Sequence, residues 1–500
     1  MGDSIGARSL NIGVQPVAGG DWHPFRAVNL ISDPIHGYIE LTKRLSAVDS
    51  SLAGLPPEDA AEEDLLDSAW LQRLRRISQL QSARWVFPTA EHSRFTHGLG
   101  VMHEAGLWAR QLYPSLRTAT ARASGSDSQP DGTPAGVPSE GLVVETMRVA
   151  GLLHDVGHGP FAHFFDEHVL ADFPAPADPR RTTGKPLSHE DLSQLIIERR
   201  LGGLIGGLRR APGLVTGRDA FGPDESIDPR WVSYLISKPA LRDQSMPAWV
   251  RLLQPLFSGV FTVDNLDYVR RDAYLTGVAI GPVDAERLRR YTFIGDEGLT
   301  LYEPGLGALE MFLTARLFMY QQVYFHRTVR AIDLDLSEVF GDSIRAIFGV
   351  QSPADDLDSF VDLDEYALLH RAALWARGEA VSTTAQPGDG RVSPEVAAGW
   401  RAILLRRPRW RSEAEVRIEY NDGVPPEHEL AALGPAVPGR VAIDLAVVDA
   451  RPGTMSPDGP LLAIQPRAGS ARIPLAQALG RLPAYALIAR RFRRQEAEVA

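Results

Sequence analysis

The stretch Gly151-Leu-Leu-His154-Asp155-Val-Gly-His158-Gly-Pro-Phe-Ala-His163 sets an adjacent His-Asp pair after an apolar run, with two further histidines behind it. An imidazole beside a carboxylate can give one metal ion a nitrogen and an oxygen ligand. Eight of the 13 histidines fall between His92 and His189, so the enrichment is local. A metal that hydrolyses phosphate esters needs neutral imidazoles, carboxylates and open positions for water and substrate. Gly157, Gly159 and Pro160 break the helix after the pair, which lets the next histidines turn into a cleft.

The rest of the composition narrows the ligand choice. The chain has no cysteine, so disulfides and thiolate sites are excluded and a metal must use His, Asp or Glu. Glu91-His92-Ser93-Arg94-Phe95-Thr96-His97 opens a second helix and offers His97. Val263-Asp264-Asn265-Leu266-Asp267-Tyr268-Val269-Arg270-Arg271-Asp272 offers Asp264 farther along. A lone histidine on a helix is more often a core or surface residue, and spacing alone does not join these distant positions.

The elements that must position these residues read as helical. Apolar residues recur at three and four from Asp67 to Tyr113, as in Trp70, Leu71, Leu74, Ile77 and Leu80. The pattern resumes over 145–154, 190–200, 231–236 and 248–276, and the Gly-rich 201–208 reads as a helix terminus. The stretch 309–333 predicts one long, buried central helix, with Leu309, Phe312, Leu313, Leu317, Tyr320 and Tyr324 on one face. Residues 118–141 are rich in Ser, Gly, Pro and Asp and predict a surface loop. Beyond the breaker-rich 385–391 the texture turns β-prone. The expected organisation is an N-terminal extension (1–27), a mostly α core (28–380) and a small C-terminal α+β subdomain (392–500).

A formal net charge of −11 opposes general nucleic-acid binding. The exception, Arg490-Arg491-Phe492-Arg493-Arg494, reads as a solvated helix end or a subunit contact. No apolar run is long enough to span a bilayer, and the first residues lack the features of a secretory signal. The expectation is a cytoplasmic protein without membrane contact.

His97, the His154-Asp155 pair and Asp264 together resemble the H...HD...D pattern of the HD-domain phosphohydrolases. More narrowly, Ser93-Arg-Phe-Thr-His97, His154-Asp-Val-Gly-His-Gly-Pro-Phe-Ala-His163, Ser188-His-Glu190 and Asp267-Tyr-Val-Arg-Arg-Asp272 resemble the dNTP triphosphohydrolases with a SAM and an HD domain, here without a recognisable SAM domain. The likeness covers about residues 30–330. It implies a mostly α fold with an HD-domain helical core, and hydrolysis of deoxynucleoside triphosphates to deoxynucleoside and inorganic triphosphate. His97, His154, Asp155 and Asp264 would hold Mn, Fe, Zn or Ni, with Mg on the substrate phosphates.

By the same resemblance His189 is the general acid, Asp166 orients it, and His158 and His163 face the phosphates and the reacting centre. Arg94 would contact the α-phosphate and Arg316 the γ-phosphate side, with Tyr320 on the same helical face. Gln79 and Leu80 would meet the deoxyribose, Tyr324 would pack under it, and Tyr268 and Asp272 would lie near its 3′-hydroxyl. A homo-oligomer, dimer or tetramer, is implied. Asp67, Gln72 and Arg75 match residues that read an activating guanine nucleotide in a relative, yet 301–308 lacks the basic residues that would grip its phosphates and Asn29 stands where Lys is expected. Asn265 likewise replaces a phosphate-binding Lys, a loss Arg327 could compensate. Two other readings stay open: an HD phosphohydrolase of a monophosphate or cyclic nucleotide, and a low-turnover regulator that senses nucleotides or binds nucleic acid.

Overall fold

The computed structural model describes residues 27–47, 59–124, 137–176, 184–213, 219–237, 243, 245–421, 423–452, 462–468 and 473–495. Apart from Ala27, the expected N-terminal extension lies outside them. The described chain opens with an antiparallel hairpin, β1 (Val28–Asp33) and β2 (Gly37–Thr42), in register from Val28 opposite Thr42 to Asp33 opposite Gly37. Asp33 sets the turn, because its Oδ1 accepts from the N–H groups of Ile35 and His36 at 2.9 Å each.

Helices then build the frame. α1 (Arg94–Ser124) and α2 (Glu140–Leu153) carry the two histidine motifs. α3 (His163–His168) and α4 (His189–Ile196) follow, and α4 runs through a π-helical turn into Gly202–Gly207, so the Gly-rich stretch is the end of that helical run. α5 (Val263–Thr276) starts with a capping box in which the Thr262 hydroxyl accepts from Asn265 N–H and the Asn265 side chain accepts from Thr262 N–H. A short hairpin, β3 (Thr292–Gly295) and β4 (Gly298–Tyr302), precedes α6 (Leu306–Met319), α7 (Arg327–Ser337), α8 (Glu365–Ala376) and α9 (Pro394–Leu404).

Two expectations about these helices are corrected. α1 continues through Thr118-Ala-Thr-Ala-Arg-Ala-Ser124, because the intrinsic preference of the alanines for helix outweighs the polar composition. The loop is therefore shorter than 118–141, and 125–136 lie outside the described residues. The single helix expected over 309–333 is two: a π-helical turn at Tyr320–Tyr324 ends α6, and His326 caps α7 by accepting from Thr328 N–H. Met311 and Phe318 on α6 are exposed, so it is not buried on all sides.

The rest of the chain divides between two environments. α9 packs on α8, and its Trp400 is fully buried with Nε1 donating to Ser343 Oγ at 2.7 Å. Ile464, Leu475 and Leu479 join the same hydrophobic core, and β7 (Ala463–Gln465) runs parallel to β4. A separate antiparallel sheet has the order β5 (Trp410–Tyr420), β8 (Tyr485–Arg494), β6 (Val441–Asp449). The fold is thus mostly α with a small β-containing C-terminal part.

That sheet corrects the reading of the basic run. Arg490 to Arg494 lie on the central strand, where Ala486 to Ala489 are buried and the arginines pair with acids rather than capping a helix. Arg490 is buried and donates to Glu415 at 2.7 Å; Arg493 pairs with Glu413 and Arg494 with Glu338. Cross-strand opposite charges stabilise such a pairing.

Replacing Trp400 with Ala should lower unfolding free energy by about 3–5 kcal/mol, the range for a buried Trp. Denaturant titration checks this, and a loss below about 1 kcal/mol would contradict a core position for α9.

Candidate metal centre

Three helices converge on one point. His97 comes from the first turn of α1, His154 from the C-terminal end of α2 and Asp264 from the first turn of α5. Their ligand atoms lie within 4.8 Å of one another. His97 Nε2 is 3.2 Å from Asp264 Oδ1 and 3.9 Å from Asp155 Oδ2, and His154 Nε2 is 3.3 Å from Asp155 Oδ1. The four expected ligands are thereby brought together.

The histidine orientations suit an ion. His154 Nδ1 lies 2.8 Å from Gly151 O and His97 Nδ1 lies 2.9 Å from Asp267 Oδ2, so each ring is tied at Nδ1 and turns Nε2 inward. Both Nε2 atoms are buried without a hydrogen-bond partner. A buried, unsatisfied polar atom costs roughly 1–3 kcal/mol, and a divalent ion would satisfy both at once. Without an ion, burial opposes charge on His97, but Asp264 and Asp267 outweigh it and push its pKa up to about 10. Burial also opposes charge on Asp155, yet Arg94, His154 and His158 hold its carboxyl well below the usual range. His97 thus leans on Asp264 and Asp267, and Asp155 on Arg94, His154 and His158, in the place a cation would take.

A second cluster adjoins the first. His158, His163, Asp166 and His189 bring ligand-type atoms within 4.8 Å of one another. His189 Nδ1 is 2.5 Å from Asp166 Oδ2, and His163 Nδ1 is 3.4 Å from the same oxygen. His158 stacks on His189 with ring centroids 3.7 Å apart. The two rings are held in opposite states. Burial disfavours charge on His189, but the Glu190 and Asp166 carboxylates push its pKa up to about 9. His158 is kept neutral, well below the ordinary value, by burial and by the charges of Arg94 and His189. Gly157 makes this proximity possible, since a Cβ there would sit 2.2 Å from His189 O and 2.4 Å from Ser193 N.

A cavity of about 250 Å³ opens beside both clusters. Its lining includes Gln79, Leu80, Arg94, His163, Tyr268, Asp272, Tyr320 and Tyr324. The Tyr324 hydroxyl donates to Asp272 Oδ2 at 2.6 Å, and His92 Nε2 meets Asp272 Oδ1 at 2.8 Å. Arg94 engages Asp155, one of the four candidate ligands. Arg316 is placed differently from expectation: it sits behind the lining, donating to the Tyr268 hydroxyl at 3.2 Å and to Asp449 O at 2.7 Å.

Asp67, Gln72 and Arg75 are engaged with their own neighbours. Gln72 donates to Leu66 O, Arg75 donates to Gln72 Oε1 and stacks on Phe95 at 3.7 Å, and Asp67 ends the helix Glu62–Leu66. Asn265 spends its side chain on the cap of α5, which explains why a residue other than Lys serves there.

The sequence reading missed Asp267, Phe325, Arg330 and Asp333. Asp267 could have been found from Asp264, Asp267 and Arg271 at i, i+3 and i+7, one face of a helix. Phe325, Arg330 and Asp333 line the cavity beyond the tyrosines and carry no motif.

Residues 94–204 match the HD domain model, and residues 283–380 match the HD associated region. The chain carries an HD domain. The chain is 28% identical over 359 residues to the uncharacterised protein YwfO of Bacillus subtilis, covering 69% of this chain and 66% of that one. It is 25% identical over 359 residues to the deoxynucleoside triphosphate triphosphohydrolase SAMHD1 homolog of Dictyostelium discoideum, covering 70% of this chain and 56% of that one. It thus spans less than two thirds of either relative. A crystal structure of a hypothetical protein from Aquifex aeolicus superposes with a TM-score of 0.61 at 22% identity, over 93% of this chain and 96% of the other. A phosphohydrolase structure from Bacteroides thetaiotaomicron gives 0.57 at 21% identity, over 94% and 100%. Both likenesses concern the fold.

Asp264→Asn should leave the fold intact and reduce bound transition metal by at least the roughly tenfold typical of losing a supporting partner. Metal analysis of the dialysed protein checks it, and full retention would remove Asp264 from the ligand set.

Proposed function

We propose that the protein is a metal-dependent phosphohydrolase that cleaves deoxynucleoside triphosphates to deoxynucleoside and inorganic triphosphate. The observation that carries this reading is the juxtaposition of two buried histidine nitrogens that lack a hydrogen-bond partner with a hydrogen-bonded His189–Asp166 pair, beside a cavity of about 250 Å³. Similarity to a dNTP triphosphohydrolase supports the choice of substrate. No described helix is long and apolar enough to cross a membrane.

His97, His154, Asp155 and Asp264 would hold Mn, Fe, Zn or Ni, with Mg accompanying the phosphates. Bound there, such an ion supplies Lewis acidity toward a phosphate oxygen and lowers the pKa of water. The remaining work belongs to the side chains. Arg94 presents its guanidinium at the α-phosphate, where negative charge builds up as the P–O bond breaks. His189 gives its proton to the departing 5′ oxygen, and Asp166 fixes the ring and stabilises the cationic form. Neutral His158, stacked on His189, adds no competing charge. Tyr324 packs under the sugar, while Gln79 and Asp272 reach its 3′-hydroxyl and Leu80 crowds the 2′ position. Arg316 backs Tyr268 from behind the cavity wall. The resemblance carried by the sequence motifs adds a homo-oligomeric, cytoplasmic enzyme as the working expectation.

Metal-loaded protein incubated with each dNTP, each rNTP and a cyclic nucleotide should release inorganic triphosphate from the dNTPs alone. Orthophosphate, an opened ring or no product would overturn the proposal.

The proton donor must be charged, so activity should fall as pH rises through the raised His189 value of about 9. Asp166→Asn removes one carboxylate that favours the charged ring, so the falling limb should move to lower pH by about 1 unit or more. An unmoved limb would exclude His189 as the donor.

A further inference from the structure

His36 lies on the turn between β1 and β2, far from the histidine motifs in sequence, yet its side chain is only 3% exposed. Its Nε2 is 2.7 Å from Asp267 Oδ1. Asp267 Oδ2 in turn lies 2.9 Å from His97 Nδ1. Asp267 is fully buried; burial opposes its charge, but His36, His97 and Arg271 hold its carboxyl well below the ordinary range. A carboxylate only accepts, so both rings donate to it, one at each oxygen. His97 is thereby fixed with Nδ1 protonated and Nε2 free for an ion.

We propose that His36 is a positioning residue for the metal centre, acting through Asp267 on the orientation of His97. The proposal rests on the reading of His97 as a metal ligand. The hairpin turn is built for this task. Asp33 fixes the turn through Oδ1 and accepts from Arg271 Nη1 at 2.7 Å through Oδ2. Arg271 itself grips both oxygens of Asp267, at 2.8 and 2.9 Å. The turn is thus attached to α5 twice, once by charge at Asp33 and once by His36. The space is reserved by Gly100 on α1, where a Cβ would lie 2.0 Å from Asp267 Oδ1. On the far side His36 faces Glu104, which pairs with Arg270, and the ring of His103, pushed down to about 3 by burial and so uncharged.

Arg271 still holds Asp267 when His36 is removed, so the effect should sit at the lower end of what outer partners of metal ligands contribute. The test is titration of the full chain with Mn²⁺, read by the electron paramagnetic resonance of the free ion, which needs no turnover. His36→Ala should weaken Mn²⁺ about tenfold. His36→Gln, whose side-chain amide can donate to the same oxygen, should recover most of that loss. Thermal unfolding of the metal-free proteins in chelator should show a cooperative transition for every variant, lowered in His36→Ala by the loss of a buried partner; if His36→Ala does not fold, His36→Asn, too short to reach Asp267, carries the same expectation for Mn²⁺. Affinity within about twofold of wild type, or equal loss in the Ala and Gln variants, would overturn the role of His36. Failure of the wild-type chain itself to bind Mn²⁺ would overturn the ligand reading on which it stands.

Discussion

Two imidazole nitrogens buried without a hydrogen-bond partner are the constraint around which this molecule is arranged. His97 Nε2 and His154 Nε2 face each other's carboxylate neighbours across helices that come from separate parts of the chain. Desolvating such atoms is unfavourable unless something compensates, and carboxylates alone compensate only if the rings are charged. The structure answers with rigidity. Each ring is tied at Nδ1, and each tie is buried, so neither can rotate away to find another partner.

The neighbouring cluster shows how one sequence motif separates two tasks. His154 and Asp155 point into the first group, whereas three residues later His158 stacks on His189 in the second. Chain reversal between them passes through Phe161 and Ala162, both at positive φ, which is a strained conformation for residues other than glycine. That strain places His163 at the cavity and lets Asp166 reach His189. The opposite charge states of two stacked imidazoles follow from what each touches: carboxylates around His189, cations around His158.

Much of this was legible in the chain. The four candidate ligand positions and eight of the cavity-lining residues were named from the family resemblance that the ordered motifs carry, and the structure brings the four together. What stayed hidden has physical reasons. Asp267 and His36 support a ligand rather than being one, and a carboxylate or imidazole in that role has no spacing of its own in sequence. The break at Phe325 was invisible because apolar periodicity continues across it while the backbone changes from α to π. The arginines of β8 misled because charge suggested solvent, whereas their partners Glu413 and Glu415 lie on a strand 75 to 80 residues earlier.

The strand order β5-β8-β6 bears on time as well as space. β5 and β6 both bond to β8 and not to each other, so during synthesis they emerge with no partner in their sheet until β8 arrives. β6 also carries Asp444, which holds Arg330 at the cavity, and the Asp449 carbonyl, which holds Arg316. Helices with local contacts can form early, while pairings between distant segments come late. The two histidine clusters can therefore assemble on a nascent chain before the wall that steadies those arginines exists, and an unfinished chain would carry the cavity still open on one side.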